Sequence, residues 1–204
     1  MNENEEMSQM HMQEAKTKLG RAVRNGEITN IDEILTKRKP ILETWIVDAL
    51  LPDLKSQTIE LRTTQRVTDS GRKISYRAVV IVGSDRGYIG LGSGKAQEPA
   101  LALSKALDKA KRSIIKVNKG CGSWECQCGT EHSIPKLVRG KESSTYIVLK
   151  PAPKGVGLAV NDTIKNALSI AGIKDVWGKA RGATGNVYNT LLATIKALDK
   201  LNEY

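Results

Sequence analysis

Residues 71–116 decide the fold, and they read GRKISYRAVVIVGSDRGYIGLGSGKAQEPALALSKALDKAKRSIIK. Residues 75–82 are rich in β-branched and aromatic side chains, and a turn-forming cluster follows at residues 83–87, so the pattern predicts a hairpin into a strand at residues 88–91. A helix is predicted to begin near Gln97, because apolar residues then recur at steps of three and four. The predicted buried face of this helix consists of Ala100, Leu103, Leu107, Ala110 and Ile114.

The predicted helix also carries a second stripe, which consists of cations at the same steps. An ordinary solvated helix face is the usual explanation of such a stripe. Here, however, the segment from Leu54 to Lys119 has a net charge of +9, while the whole chain has +10. This concentration favours binding of a polyanion, and nucleic acid first. The cations of the stripe are Lys105, Lys109, Arg112 and Lys116.

Composition narrows the class of protein. The 204 residues allow one large or two small domains. No apolar run approaches the ~18 residues that a transmembrane helix needs, and the polar, acidic start does not resemble a signal peptide. Three cysteines, an odd number, fit a reducing compartment better than a disulfide framework. We therefore expect a soluble, cytoplasmic protein without a membrane partner.

The residues before the hairpin form an extension with its own short elements. Residues 1–16 are polar and rich in Met and Glu, which predicts disorder. One short helix is expected at residues 31–35, and a second, apolar helix at residues 41–51 that stops at Pro52.

Apolar residues alternate with polar ones from Thr58 onward, which predicts a further strand before the hairpin. Residues 69–71 form a turn, and Arg72 and Lys73 follow directly. The hairpin tip is therefore basic, and it could enter an RNA groove or lie along phosphates.

Downstream of a Gly- and Cys-rich connector, the pattern predicts strand, strand, helix, strand and helix, which is an α+β unit of its own. The predicted elements are strands at residues 134–138 and 146–149, a helix from Asn161 or Asp162 to Gly172, a strand at residues 174–181 and a helix from Asn186.

The glycine run at residues 90–94 does not match a nucleotide-binding loop. A P-loop would need Gly where Ile89 stands and Ser or Thr where Ala96 stands. The alternating glycines also have the wrong interval for a dinucleotide fingerprint. We expect instead a close backbone approach to an anion at the start of the helix, with Lys95 beside it. The chain contains no Phe, so phosphate and sugar contacts should outweigh base stacking.

The sharpest chemical constellation is Cys121-x4-Cys126-x-Cys128-x3-His132. Four soft ligands within twelve residues suffice for a closed tetrahedral zinc site. The CxC pair is tighter than a usual zinc knuckle, however, and both flanks are rich in glycine. These features favour reduced cysteines in a packed loop. We therefore predict no cofactor and keep zinc as the open alternative.

Catalytic chemistry has little support in the sequence. There are two histidines, and no Ser/His/Asp or paired-carboxylate arrangement stands out. We predict that the protein is not an enzyme. A nucleotide-using enzyme that exploits the glycine run remains a distant alternative.

Eight motifs between residues 17 and 177 together resemble the small-subunit ribosomal protein five family in its archaeal form, and the similarity runs from about Thr17 to Leu201. Each motif is weak alone, but their shared order over nearly the whole chain is specific. The motifs are Thr17-Lys-Leu-Gly-Arg, Gln65-Arg-Val-Thr-Asp, Arg77-Ala-Val-Val-Ile-Val-Gly, Gly87-Tyr-Ile-Gly-Leu-Gly-Ser-Gly-Lys-Ala, Gly120-Cys-Gly-Ser-Trp-Glu-Cys, His132-Ser-Ile-Pro, Pro151-Ala-Pro-Lys-Gly-Val-Gly and Ala171-Gly-Ile-Lys-Asp-Val-Trp.

The resemblance implies an α+β protein of two domains. A double-stranded-RNA-binding-like β-β-β-α domain would occupy residues 54–117. A connector at residues 118–132 would lead to a β-β-α-β-α domain at residues 133–204, of the type found second in this family. Residues 1–53 would form the N-terminal extension.

The resemblance further implies a structural constituent of the small ribosomal subunit that binds small-subunit ribosomal RNA. Such a protein would contact ribosomal proteins four and eight, line the channel through which messenger RNA enters, and influence decoding accuracy. Its C-terminal domain would supply protein contacts. A free-standing regulator that binds double-stranded RNA is the alternative. The residues predicted to contact RNA are Arg66, Arg72, Lys73, Arg86, Lys95, Lys105, Lys109, Arg112, Lys116 and Lys119.

Overall fold

The computed structural model describes residues 15–126 and 128–202. The chain divides into two compact units, residues 1–54 and residues 55–204. Most of the segment predicted to be disordered, residues 1–16, lies outside the described residues. In the described ranges, no helix is long and apolar enough to cross a membrane.

Within its described residues, 15–54, the first unit contains three short helices, α1 (Lys18–Arg24), α2 (Ile31–Thr36) and α3 (Trp45–Leu50). Helix α2 begins where the sequence predicted. Helix α3 is shorter than the predicted helix at residues 41–51, since residues 41–43 have no regular structure. The buried apolar residues of this unit are Ile31, Ile34, Ile41, Ile46, Val47 and Leu51.

The Glu43 carboxylate lies between the starts of helices α1 and α3. It accepts hydrogen bonds from the backbone amides of Lys16 and Thr17, at 2.9 and 2.8 Å, and from the indole N–H of Trp45 at 2.8 Å. Burial opposes the charged carboxylate, but these hydrogen bonds outweigh it and lower the pKa of Glu43. The carboxylate therefore joins the first residue of α3, Trp45, to the residues that precede α1.

The second unit opens with an antiparallel sheet in the order β1-β2-β3-β4, followed on one face by a helix. The predicted strand-strand-strand-helix order is confirmed. Strand β3 is longer than predicted because the glycine run belongs to it. Strand β2 is also longer than predicted. The elements are β1 (Lys55–Thr68), β2 (Gly71–Ser84), β3 (Tyr88–Ala96), α4 (Pro99–Arg112) and β4 (Ile115–Lys116).

Glycines on one face of β3 meet alanines on α4. A Cβ atom added at any of these glycines would clash with a backbone carbonyl of the helix. The expectation that the glycine run approaches an anion is therefore wrong, because the helix backbone occupies that space. The glycines are Gly90, Gly92 and Gly94, and the facing alanines are Ala110, Ala106 and Ala102 respectively.

The buried face of α4 also differs from the predicted one. Ala100 is exposed and Leu103 and Leu107 are only half-buried, whereas the alanine stripe is fully buried. Periodicity favoured the leucines because they are larger and more apolar. Contact with a glycine strand requires the smallest side chains instead, since the two backbones lie so close.

The rest of the second unit forms a sheet in the order β5-β6-β8-β7, with β7 parallel to β8 and the other pairs antiparallel. The predicted strand, strand, helix, strand, helix order is confirmed, with the short strand β7 added. The elements are β5 (Val138–Glu142), β6 (Thr145–Pro151), β7 (Leu158–Ala159), α5 (Asp162–Ile170), β8 (Val176–Arg181) and α6 (Val187–Asp199).

The first strand of this sheet lies further along the chain than predicted. The segment between the two predicted strands, residues 139–145, is not all loop: residues 139–142 belong to β5, and the turn is formed by Ser143 and Ser144. Gly140 lies within the strand, although glycine is more common in turns. In β5 this glycine faces the Ala193 carbonyl and Ala197 of α6, which again allows a helix to pack closely on a strand.

The two sheets share one apolar core. Val79, Ile81, Ile89 and Leu91 lie on the face of the first sheet opposite α4 and pack with the second half of the unit. Strands β2 and β3 are thus covered on both faces, by α4 on one side and by this core on the other. The contributing residues of the second half include Ile147, Leu149, Ile164, Leu168, Ile173, Leu191 and Leu198.

We predict that Gly92→Ala lowers the free energy of unfolding by about 3 kcal/mol or more, because strand and helix must separate to admit the methyl group. Gly185→Ala is the matched control, since a Cβ atom there meets nothing within 4 Å. Urea unfolding followed by circular dichroism measures both. Equal stability of the two variants would contradict the close-packing argument.

Candidate nucleic-acid interface

Strands β1 and β2 extend beyond the rest of their sheet. The pairing of β2 with β3 ends at Tyr76, opposite Ala96, whereas the pairing of β2 with β1 continues to Gly71, opposite Thr68. Residues 64–75 therefore form a two-stranded ribbon, with no third strand among the described residues, and we call this ribbon the arm. The charged residues of the arm are Arg66, Asp69, Arg72 and Lys73.

The register of the arm separates the two cations of the predicted tip. Arg72 and Lys73 are successive strand residues, so their side chains lie on opposite faces. Lys73 is directly opposite Arg66 and shares its face. The hydroxyl groups of Thr64 and Ser75, 3.2 Å apart, lie on that face as well.

The same face continues into the three-stranded part of the sheet, where cations stand in one row. Arg62 is opposite Arg77, and Arg77 is opposite Lys95. All three side chains are exposed. Together with the two cations of the arm they form a surface that we call the basic face. It consists of Arg62, Arg66, Lys73, Arg77 and Lys95.

Sequence reasoning missed Arg62 and Arg77 as site residues. The alternation along β1 had already placed Arg62 and Arg66 on one face. If the strands pair without interruption on both sides of a turn at residues 69–71, Arg62 also lies opposite Arg77. The missing information was the length of the hairpin, because residues 64–75 include few of the apolar residues that mark a strand.

Two contacts orient the cations of this row. Arg62 forms an ion pair with Glu60, which lies on the same face. The Arg77 guanidinium lies 5.3 Å from the centre of the Tyr188 ring on α6. The cation–π contact restrains Arg77, and its exposed face remains available to an anion.

The predicted cation stripe lies on the other side of the sheet. Lys105, Lys109 and Arg112 are exposed on α4, which covers the face opposite the basic face. Lys116 does not belong to the helical stripe as predicted, because it is a half-buried residue of β4. Helix α4 ends before it. The Ser113 hydroxyl donates its single proton to the Leu91 carbonyl on β3 at 2.7 Å, and the carbonyl oxygens of Lys109 and Ala110 lie 3.1 and 3.2 Å from it.

The two remaining predicted residues lie near the turn between β2 and β3. Arg86 is exposed in the turn itself. The Lys119 ammonium group donates a hydrogen bond to the backbone carbonyl of Asp85. Burial lowers the pKa of Lys119, although the Asp85 carboxylate opposes the shift. Lys119 thus joins the connector to the β2–β3 turn.

The outer face of the second sheet forms another basic surface, which the sequence prediction did not include. Alternation along β5, β6 and β8 brings five exposed cations to the face away from the core, together with two aromatic side chains. Among the strand residues described there, no Asp or Glu shares this face. We call it the second basic face, and it contains Arg139, Lys141, Lys150, Lys179, Arg181, Tyr146 and Trp177.

The cysteines and His132 meet in the connector. The ligand atoms of Cys121, Cys126, Cys128 and His132 all lie within 4.8 Å of one another. The Cys126 sulfur is 3.7 Å from His132 Nε2, and the Thr130 hydroxyl donates to the Cys128 sulfur at 3.3 Å. The bond from Thr130 contributes most to lowering the pKa of Cys128, to about 6. These four residues could hold a metal ion.

A buried carboxylate stands behind the histidine. Asp175 Oδ2 accepts a hydrogen bond from His132 Nδ1 at 2.8 Å, and Oδ1 accepts from the amides of Gly155 and Gly157 at 3.1 and 2.8 Å. Burial disfavours the charged carboxylate, but these hydrogen bonds outweigh it and lower the pKa of Asp175. The ring orientation of His132 is therefore set by a residue 43 positions away.

Comparison with known proteins matches both halves of the second unit. The family model described as "Ribosomal protein S5, N-terminal domain" matches residues 54–118, and the model described as "Ribosomal protein S5, C-terminal domain" matches residues 140–204. A protein of Methanocaldococcus jannaschii named small ribosomal subunit protein uS5 is 53% identical over 189 residues, which are 93% of this chain and 87% of the relative. A protein of the same name from Picrophilus torridus is 52% identical over 185 residues, which are 91% of this chain and 84% of the relative.

We predict that Lys119→Met lowers the free energy of unfolding by about 1 kcal/mol, because the Asp85 carbonyl loses a charged donor. Lys109→Met is the matched control, since Lys109 is exposed on α4, and its effect should stay within about 0.5 kcal/mol. Thermal and urea unfolding of the purified variants would measure the difference. Indistinguishable variants would mean that the contact of Lys119 adds nothing to stability.

Proposed function

The chain belongs to the ribosomal protein S5 family, and on that premise we propose that it is a structural constituent of the small ribosomal subunit. In this role it binds small-subunit ribosomal RNA and neighbouring ribosomal proteins in the cytoplasm and catalyses no reaction. The observation that supports RNA binding best is the basic face, where five exposed cations stand on one side of a preformed sheet.

The geometry of the basic face suits a phosphate backbone. Neighbouring strands lie about 4.8 Å apart, and residues four positions apart on one strand lie about 13 Å apart. The row of Arg62, Arg77 and Lys95 therefore runs across the strands, and the pair of Arg66 and Lys73 lies about 13 Å further along them. Arginine and lysine contacts to phosphate position a protein on RNA without reading its bases. Because the three-stranded part of the sheet is held by α4 and by the core, Arg62, Arg77 and Lys95 require little rearrangement on binding.

The arm gives the interface a second, different face. Val67 and Ile74 lie opposite the cations and are 75% and 50% exposed, and Arg72 lies beside them. Apolar side chains on a ribbon without a third strand remain in water until another molecule covers them. We assign the cationic face of the arm to RNA and the apolar face to the rest of the assembled subunit.

The cations outside the basic face extend the proposed interface. Lys105, Lys109 and Arg112 project from the opposite side of the sheet, so they would contact a different RNA segment. The second basic face supports a further RNA contact from the C-terminal half, with Tyr146 and Trp177 able to stack on unpaired bases. Residues proposed to contact RNA individually also include Arg72, Arg86, Lys116 and Lys119.

Family membership supports finer proposals about neighbours. We propose contacts with ribosomal proteins four and eight, and a position beside the channel through which messenger RNA enters, where the protein would influence decoding accuracy. Residues 54–117 and 133–204 would act as two functional domains joined by the connector at residues 118–132. Cross-linking of assembled subunits, followed by mass spectrometry, tests these neighbours directly.

We predict that Arg66→Glu combined with Lys73→Glu strongly reduces incorporation into the small subunit, because both cations of the arm's RNA face are reversed. Sedimentation of cell extract through a high-salt sucrose gradient, with immunodetection of the chain, measures incorporation. For the purified protein, the slope of log affinity against log salt should fall by about 2 when two phosphate contacts are lost.

Lys154→Glu combined with Lys165→Glu is the matched control, since both side chains are exposed outside the two basic faces and the change in net charge is the same. It should incorporate like the wild type. If the arm variant also incorporates normally, the basic face does not carry the RNA contact. If the wild-type chain itself stays at the top of the gradient and binds arbitrary RNA duplexes, the ribosomal role is overturned.

A further inference from the structure

We propose that Cys121, Cys126, Cys128 and His132 bind one Zn²⁺ ion as a structural site in the connector. The proposal rests on the arrangement of these side chains and is independent of how the chain binds RNA. It also reverses the preference drawn from their spacing, which favoured reduced cysteines in a packed loop.

The distances fit a tetrahedral site. With Zn–S bonds of about 2.3 Å and Zn–N bonds of about 2.0 Å, ligand atoms of a tetrahedron lie about 3.5 to 3.8 Å apart. The Cys126 sulfur and His132 Nε2 already have this separation, at 3.7 Å. All four ligand atoms lie within 4.8 Å of one another, so small side-chain rotations complete the site.

The close spacing of Cys126 and Cys128 in the sequence does not prevent their sulfur atoms from lying in the same cluster. Both belong to the same cluster, although they are two residues apart. The packed-loop alternative also predicts cysteines among buried apolar residues. The structure describes all three cysteines, and each is half-buried and outside the shared apolar core.

Asp175 orients the histidine for metal binding. A carboxylate accepts hydrogen bonds, so His132 Nδ1 carries the proton and Nε2 keeps its lone pair, which faces Cys126. A carboxylate behind a ligating histidine is the usual outer partner in protein zinc sites, where it holds the ring and strengthens the ligand. The two glycine amides in turn hold Asp175.

The ligand set identifies the metal class. Three thiolates and an imidazole suit Zn²⁺, whereas magnesium and calcium prefer oxygen ligands. Four protein ligands leave no open position, so the ion would stabilise the connector rather than activate a water molecule.

The ion would fix the connector to the second sheet. The His132 carbonyl accepts from the amides of Lys174 and Asp175, immediately before β8, and Gly120 pairs with Ser133. These bonds fix one end of the connector loop, and a metal ion bound to the cysteine sulfurs would fix the other. Trp124 in that loop is 88% exposed, and the fluorescence of its indole can report metal binding.

Two measurements on the full-length chain test the site. Metal analysis of protein purified without chelators should give about one equivalent of zinc. The reduced, metal-free protein titrated with Co²⁺ should show thiolate-to-cobalt charge-transfer absorption and tetrahedral visible bands that saturate at one equivalent. Either stoichiometric result supports the site. Less than half an equivalent of zinc together with no cobalt–thiolate absorption overturns it.

Variants assign the ligands. Cys126→Ser and Cys128→Ser should each weaken or abolish metal binding, whereas Glu125→Gln, an exposed residue of the same loop, should bind like the wild type. Circular dichroism of the metal-free variants checks that they fold. If a folded Cys126→Ser variant binds Co²⁺ with unchanged affinity and spectrum, the proposed ligand set is wrong.

Asp175→Asn tests the positioning role of the carboxylate. We expect the cobalt spectrum of three sulfurs and one nitrogen to persist while zinc affinity falls about 10- to 100-fold. Ser133→Ala is the matched control, because it removes a hydrogen bond to the Asp175 carbonyl but leaves the carboxylate in place. A similar loss of affinity in both variants would mean that Asp175 acts only through the fold of the loop.

Discussion

The close approach of β3 to α4 is the constraint on which the second unit depends. The helix rests on a strand that presents hydrogen atoms instead of side chains, so backbone meets backbone. This contact holds the helix flat against β2 and β3 and turns its lysines toward solvent. The opposite face of the same strands then bears large aliphatic side chains that pack with the second half of the unit. Strand β3 thereby contacts α4 on one face and the shared apolar core on the other. This arrangement determines where the charged surfaces lie.

The layering also explains why the cations occupy separate surfaces. The cations of β1, β2 and β3 that form the basic face lie on the side of the sheet opposite α4, and α4 carries its own exposed cations. Along the sequence these cations form one basic segment, whereas in the fold they lie on two sides of a sheet. Such a protein can touch separate RNA segments and hold them apart, which suits a permanent component of a large assembly better than a binder of one duplex.

Much of the architecture could be predicted from sequence, and the failures have physical causes. The element order followed from periodicity, and of the two residues offered as the start of α5, Asn161 is its cap. The glycine run of β3 was misinterpreted, because a strand packed closely on a helix and a backbone that approaches an anion both require glycine. The ligand spacing of the connector was visible, but Asp175 was not connected with His132, since no local pattern links residues 43 positions apart. The strand register that pairs Arg62 with Arg77 could be predicted only if the full length of the hairpin were known.

The arm has a consequence for the newly made chain. A two-stranded ribbon with free edges is marginally stable and offers unpaired backbone groups to any other strand. Exposed Val67 and Ile74 add to that hazard before assembly. Arg66 and Lys73 oppose it, because like charges on two approaching ribbons repel and basic edges discourage strand addition. The charges that we propose contact RNA would thus also keep the unassembled protein from aggregating.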